Sequence, residues 1–174
     1  TSHRAVAHPL TVQTMSGHGS VSARAHMAHL KGTRISQHHE AIMRLLMFRV
    51  NDFWYAPYDE ETDTTGERVR IGNCILVWVE SESKDEDDRV AVLRKMVKNI
   101  RWIAQKHGLS RIALHSFAHL GGEKAPPSLA QALIEETAER LRKRNYEVHI
   151  VNPGLNEFSM HVCGPSLAKV FKAF

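Results

Sequence analysis

A histidine and two glycines stand where a predicted strand passes into a predicted helix. The segment Phe117 to Glu123 (FAHLGGE) follows the apolar run Ser110 to Ser116 and precedes Pro126-Pro127. Ligands of open α/β sheets bind outside the carboxyl ends of strands, which makes this segment a candidate site. His119 could exchange a proton near neutral pH, or it could brace the loop. Gly121-Gly122 could let a ligand approach the backbone, or it could form a plain turn.

The common cofactor and hydrolase motifs are absent. The sequence contains no G-x-G-x-x-G, P-loop, H-E-x-x-H or G-x-S-x-G pattern, so it predicts no cofactor. Cys74 and Cys163 stand far apart and form no C-x-x-C pair. They predict two buried thiols, with neither a metal site nor a disulfide scaffold.

The segment around His119 resembles the N-terminal editing domain of archaeal-type threonyl-tRNA synthetases. Phe117 to Leu120 (FAHL), followed by Ala125 to Ala130 (APPSLA), is similar to that family's FAHLS…KPS signature. Met43 to Leu46 is similar to the family's first strand, and Cys163 to Lys169 resembles its closing segment. The similarity covers about residues 43–174. It implies a fold like that of D-aminoacyl-tRNA deacylases and the hydrolysis of seryl-tRNA(Thr), the product of mistaken charging.

The resemblance also implies which residues form the site. The family's pocket histidine corresponds to His119, which is expected to be catalytic. Phe117 and Ala118 precede it and are expected to contact the substrate.

The tail of the chain departs from the family pattern. The family's Tyr-Lys pair falls on Asn156 and Glu157, and its late glutamate falls on Lys169. The resemblance therefore implies Asn156 as a substrate contact and Glu157 and Lys169 as catalytic residues with their charges exchanged. We interpret them as a reversed ion pair; the alternatives are a tail alignment displaced by one residue or a decayed site.

Hydrophobic periodicity predicts the elements that must position these residues. They are a hairpin over 43–58 with its turn at Asn51-Asp52, a strand over 71–80, a helix from a capping box at Ser83 and Glu86 to Gly108, a strand over 110–116, a helix after Pro127, two strands over 146–152 and 157–162, and a short closing helix over 165–174. The sequence thus predicts an α/β domain with a mixed β-sheet of about five strands packed with two to three helices.

The first 42 residues differ in composition from the remainder. They hold seven of the 12 histidines, four of the 23 basic residues and one of the 19 acidic residues, without helical or strand periodicity. We interpret 1–42 as a disordered or leader segment and 43–174 as the folded domain. Because 43–174 is nearly neutral, a nucleic-acid partner would have to meet a local basic patch.

Three functions follow from these observations. The leading hypothesis is a freestanding cytoplasmic deacylase that acts on mischarged tRNA, with threonyl-tRNA synthetase and a homodimer as further expected partners and no membrane association. The second is a non-catalytic module that binds tRNA or a synthetase through the cluster Arg140 to Arg144 and the face of Arg94, Lys98 and Arg101. The third is an unrelated small α/β enzyme in which His119 is structural.

Overall fold

One long strand, β1 (Arg44–Asp59), is the centre of the fold. The computed structural model describes residues 43–118, 124–164 and 167–174. The other elements are β2 (Thr64–Thr65), β3 (Val69–Arg70), β4 (Cys74–Glu80), α1 (Arg89–Lys106), β5 (Arg111–Ser116), α2 (Pro127–Arg142), β6 (Glu147–Ile150), β7 (Asn156–Val162) and β8 (Lys169–Ala173). The described strands form one eight-stranded sheet, so the predicted mixed α/β architecture is confirmed with more strands than expected.

Strand β1 has partners along both edges. Its first half pairs with β4 on one edge and with β8 on the other, and its second half pairs with β7, β3 and β2; all these pairs are antiparallel. Strands β4, β5 and β6 are parallel to one another. The carboxyl ends of three strands therefore lie at the same edge of the sheet.

The two faces of the sheet are buried differently. One face packs under α1 and α2, with Met47, Val77 and Leu114 among its buried side chains. The opposite, concave face has its own cluster, which includes Phe48 and Leu76. Successive side chains of a strand point to opposite faces, so the apolar run of β4 fills both layers.

An irregularity at Asn51 changes which residues of β1 face the concave side. Before it, Phe48 and Val50 lie in the concave cluster; after it, Phe53 and Tyr55 do. The pairing with β7 shifts register between Val50 and Asp52, as expected of a β-bulge. The prediction of a hairpin turn at Asn51-Asp52 is therefore wrong: the polar pair marks a bulge inside one continuous strand.

The first predicted helix begins later than its expected capping box. A 3-10 turn occupies Ser83–Glu86, and the backbone N–H of Glu82, which caps this turn, donates to Asp85 Oδ2 at 2.8 Å. Helix α1 itself starts at Arg89 and is capped by Asp88, whose side chain accepts from the Ala91 N–H. The predicted stop at Gly108 is confirmed, since this residue has a φ of 63°.

The end of the chain is a strand and not the predicted closing helix. Leu167 has a φ of 77°, which no right-handed helix accommodates. Residues Lys169–Ala173 instead form strand β8, which pairs with β1. In this pairing Ala173 lies opposite Arg44, and Lys169 lies opposite Phe48. Pairing satisfies an edge of β1 that would otherwise expose unpaired backbone groups. In the part of the chain that the structure describes, no helix is long and apolar enough to cross a membrane.

Candidate functional site

A cleft of about 640 Å³ opens at the carboxyl ends of the parallel strands. Ser81 follows β4, and Phe117 and Ala118 follow β5. The first turn of α2 and the loop between β6 and β7 close the other sides. This is the position at which ligands bind in open α/β sheets, and it agrees with the place predicted from the sequence.

Two backbone hydrogen bonds fix the cleft wall on the β4–β5 side. The Phe117 N–H donates to the Val79 carbonyl at 2.9 Å, and the Ala125 N–H donates to the Ser81 carbonyl at 2.9 Å. The chain segments on both sides of residues 119–123 are thus anchored to the end of β4. Their anchoring holds the start of α2 beside the cleft.

His115 lines the cleft from near the carboxyl end of β5, where it pairs with Trp78 of β4. Its ring lies 6.5 Å from the Trp78 ring and 6.4 Å from the Phe158 ring, measured between centroids. Burial among these side chains lowers the pKa of His115 below its ordinary 6.5, so the imidazole is neutral at pH 7. A neutral imidazole offers one donor and one acceptor nitrogen.

Three buried polar atoms of the cleft have no hydrogen-bond partner among the described residues. They are Ser81 Oγ, His115 Nδ1 and Asn156 Oδ1, and all three residues line the cleft. A buried polar atom without a partner costs about 1–3 kcal/mol, so such atoms normally meet a ligand or an ordered water. Three polar side chains of one cleft therefore carry hydrogen-bonding atoms that are not used within the described residues.

The side chain of Asn156 is held in one orientation by its own loop. Its Nδ2 donates to the carbonyls of Asn152 and Gly154, each at 3.0 Å. Because the amide nitrogen is used in this way, Oδ1 is the polar atom of this side chain that has no partner among the described residues. Asn156 can therefore accept a hydrogen bond from a hydroxyl or an ammonium group.

The other parts of the cleft are apolar and, at one end, positive. Trp78 and Phe117 stack with centroids 4.6 Å apart, and Phe158 meets Trp78 edge-on at 6.0 Å. Lys124 lines the cleft beside the N-terminus of α2, where the helix dipole adds partial positive charge. This end suits an anionic group such as a phosphate.

The structure brings together some of the residues predicted from the sequence. Phe117, Ala118 and Asn156, expected as substrate contacts, line the same cleft. His119 lies outside the described residues, so its expected catalytic role stays a prediction. The nearest described residues on either side of the segment 119–123, Ala118 and Lys124, both line the cleft.

Glu157 and Lys169 do not meet, and neither lines the cleft. Glu157 pairs with Ala56 and lies between Asn156 and the cleft-lining Phe158, so its side chain points to the opposite face. Its Oε2 accepts a hydrogen bond from Thr65 Oγ1 at 3.1 Å. Lys169 pairs with Phe48 of β1. Phe48 and Ala56, the partner of Glu157, are eight residues apart, which corresponds to roughly 25 Å along β1. The predicted reversed ion pair is wrong.

The two cysteines also differ from each other. Cys74 is fully buried, and burial raises the pKa of its thiol to about 12. Cys163 is half-buried and contacts the Arg49 side chain, so the expectation of two buried thiols holds for Cys74 alone. Among the described residues no group of three His, Cys, Asp or Glu side chains is placed to hold a metal ion.

Sequence reasoning missed His115 and Ser81. Both lie in segments interpreted only as strand or loop, although a signal was present. His115 is the one ionisable residue in the centre of the run Ile112 to Phe117, and strand alternation with Ala113 places it on the concave face. A polar side chain at that position, next to the carboxyl end, indicates a ligand-facing residue.

Comparisons with known proteins agree with this geometry. Residues 43–174 match the family described as the archaea-specific editing domain of threonyl-tRNA synthetase. A threonine–tRNA ligase of Thermococcus kodakarensis is 34% identical over 79 residues, which are 45% of this chain and 13% of that protein. One of Hyperthermus butylicus is 27% identical over 142 residues, or 76% and 23% of the two chains. This chain thus spans less than a quarter of these relatives' length.

A solved structure shows the same fold. A probable eukaryotic D-amino acid tRNA deacylase superposes with a TM-score of 0.54 at 12% identity, covering 76% of this chain and all of the other. At this identity the likeness concerns the fold alone. Since the family match covers the whole described domain, the chain belongs to the family of archaea-specific editing domains of threonyl-tRNA synthetase.

Proposed function

We propose that this chain hydrolyses the ester bond of mischarged aminoacyl-tRNA, with seryl-tRNA(Thr) as its main substrate. Membership of the editing-domain family supports tRNA editing in general. The observation that carries the specific proposal is that Ser81, His115 and Asn156, each with a polar atom that has no partner among the described residues, line one cleft. An aminoacyl-adenosine end offers ammonium, ribose hydroxyl and phosphate groups to such a site.

The chemistry needs only water as a second reactant. The water oxygen attacks the ester carbonyl carbon, and the bond from that carbon to the ribose oxygen breaks. The ribose oxygen takes a proton, and the free amino acid and the tRNA are released. Hydrogen-bond donors at the cleft would stabilise the negative charge that develops on the carbonyl oxygen.

Each part of the cleft has a role in this proposal. Asn156 Oδ1 and Ser81 Oγ accept hydrogen bonds from the aminoacyl ammonium or from the ribose. Lys124 and the first turn of α2 bind the terminal phosphate. His119 supplies the catalytic histidine that the family resemblance implies, and neutral His115 orients the substrate or the water.

Editing of serine has a clear physical reason. An aminoacylation site that accepts threonine discriminates against serine by only about 1–3 kcal/mol, because the two amino acids differ by one methyl group. A second site that hydrolyses the smaller product adds the missing discrimination. In this cleft, the apolar wall of Phe117 and Phe158 is the surface that a threonine methyl group would meet.

A panel of aminoacylated tRNAs tests the proposal. We expect faster release of amino acid from seryl-tRNA(Thr) than from threonyl-tRNA(Thr) or from a D-aminoacyl-tRNA. Ser81→Ala should slow hydrolysis by up to about tenfold, the effect of one lost hydrogen bond, and His119→Ala should slow it more. His161→Ala, on the exposed outer side of β7, is the matched control and should leave the rate unchanged.

A second function is favoured by one observation. Glu157 and Lys169, which the resemblance implies as catalytic, do not line the cleft, and none of the described residues that line it carries a carboxylate. This supports a non-catalytic tRNA- or synthetase-binding module. Binding of tRNA without hydrolysis of any substrate in the panel would establish the module and overturn the deacylase.

The remaining partner and location hypotheses stay predictions. Association with threonyl-tRNA synthetase is measured by co-sedimentation of the two proteins, and a homodimer by sedimentation equilibrium of this chain alone. The cytoplasmic location follows from the proposed substrate, since charged tRNA is used in translation.

A further inference from the structure

A basic groove of about 380 Å³ lies between α1 and α2, apart from the cleft. Its charged lining residues are Arg94, Lys98 and Arg101 from α1, Arg140 from the last turn of α2, and Arg144 from the turn that follows α2. Helix α1 contains six basic residues and no acidic one. Positive charge is therefore concentrated on this face, although the folded domain as a whole is nearly neutral.

The cations of the groove are largely unneutralised within the described structure. Among the groove cations, Arg140 forms an ion pair within the described structure, with 3.8 Å between its Nη2 and Glu136 Oε2. Arg144 donates to the carbonyl of Arg140, which leaves its charge unmatched. Arg101 Nε is buried and has no hydrogen-bond partner among the described residues. A buried guanidinium nitrogen of this kind requires an acceptor, and a phosphate oxygen is one.

An exposed aromatic side chain lies among these charges. The Trp102 side chain lines the groove with 41% of its surface exposed, and Lys172 Nζ lies 5.5 Å from its ring centroid. Cations that follow a groove beside an exposed aromatic ring are the arrangement with which proteins bind a nucleic-acid backbone and stack a base. A groove that bound the carboxylates of an acidic protein surface would not need an exposed aromatic ring such as that of Trp102.

The groove also lies within reach of the cleft. Helix α2 lines the cleft at Pro127 and the groove at Arg140. At 1.5 Å per residue, these two positions are about 20 Å apart along the helix. We infer that the groove between α1 and α2 binds the phosphate backbone of the tRNA whose aminoacylated 3′ end enters the cleft. The inference rests on the proposed function for the identity of the RNA.

Equilibrium binding of uncharged tRNA at several salt concentrations tests the inference. The variant Arg101→Gln/Arg144→Gln removes two groove charges; Arg68→Gln/Lys169→Gln removes two exposed charges elsewhere and is the matched control. We expect the groove variant to weaken tRNA binding by on the order of tenfold or more at about 0.1 M salt, and to reduce the slope of log K against log salt by about two. The control should shift both quantities much less.

A short substrate separates this inference from the proposed function. Hydrolysis of a seryl ester on a CCA trinucleotide should be equal in the wild type and the groove variant, whereas KM for full-length seryl-tRNA should rise in the groove variant. Should the arginine variant fail to fold, the exposed pair Lys98→Gln/Trp102→Ala replaces it in the same measurements. Equal tRNA binding by groove variant and control would overturn the inference, even if the deacylase is active. Salt-dependent binding through the groove with no hydrolysis would overturn the proposed function alone.

Discussion

The rings of His115 and Phe158 lie 6.4 Å apart, although β4 and β1 separate their strands in the sheet. Neighbouring strands are about 4.8 Å apart, so three steps across a flat sheet would place these strands about 14 Å apart. The contact shows that the sheet curls into a half-barrel whose concave side brings β7 over β5. This curl places Asn156 on the cleft that His115 faces.

The neutral state of His115 has a consequence for stability in mild acid. Because burial lowers its folded-state pKa below 6.5, the unfolded chain binds the proton more tightly. The contribution of His115 to folding stability is therefore complete above pH 6.5 and is lost as the pH falls through the lower folded-state pKa. We expect His115→Gln to reduce the loss of melting temperature between pH 7 and pH 5. His161→Gln, which changes an exposed histidine, should keep the wild-type profile; three superimposable profiles would contradict the prediction.

Asp85 should behave in the opposite sense. Its carboxyl is fully buried, and burial raises its pKa from 3.8 to about 6, against the opposing hydrogen bond from the Glu82 N–H. The folded protein thus binds this proton more tightly than the unfolded chain, and the stability that goes with it is present below about pH 4 and lost as the pH rises through 6. We expect Asp85→Asn to raise the melting temperature at pH 7.5 and to have little effect at pH 4. Asp87→Asn, at an exposed position, should show no such pH-dependent difference.

The separation of Glu157 and Lys169 makes a double-mutant cycle informative. Exchanging them singly (Glu157→Lys, Lys169→Glu) and together should give additive changes in the free energy of unfolding, within about 0.5 kcal/mol, because the residues are far beyond contact distance. The same cycle on Asp52 and Arg70, joined by two hydrogen bonds of 2.9 and 3.1 Å, should show coupling of up to about 1 kcal/mol. Coupling between Glu157 and Lys169 above that of the contact pair would contradict their placement.

The sequence predicted the elements with strong local periodicity and failed where distant pairing decides the structure. Helix α2 follows from the stripe of Leu133, Thr137 and Leu141, all of which are buried. The closing strand β8 was predicted as a helix because a short run such as Lys169 to Ala173 is compatible with either period, and only its pairing with β1 distinguishes them.

The candidate site was predicted in part for a similar reason. Phe117 and Ala118 come directly after a strand that is recognisable from its composition, so their place at its carboxyl end could be predicted. Asn156 was implied by the resemblance, and the fold brings it to the cleft through the curl of the sheet. The relation of Glu157 to Lys169 depends on their partners Ala56 and Phe48 in β1, which no local pattern reveals.

The bulge at Asn51 divides β1 into two segments of opposite phase. Ahead of it the even-numbered side chains face the concave side, and beyond it the odd-numbered ones do. If these residues alternated without a bulge, Asp52 and Trp54 would turn inward and Phe53 and Tyr55 outward, so the extra residue accommodated at Asn51 keeps Phe53 and Tyr55 in the concave cluster. The position of the bulge is therefore constrained as tightly as the composition of the strand, whereas the exposed loop that follows Asp59 can change length without altering which side chains of β1 face inward.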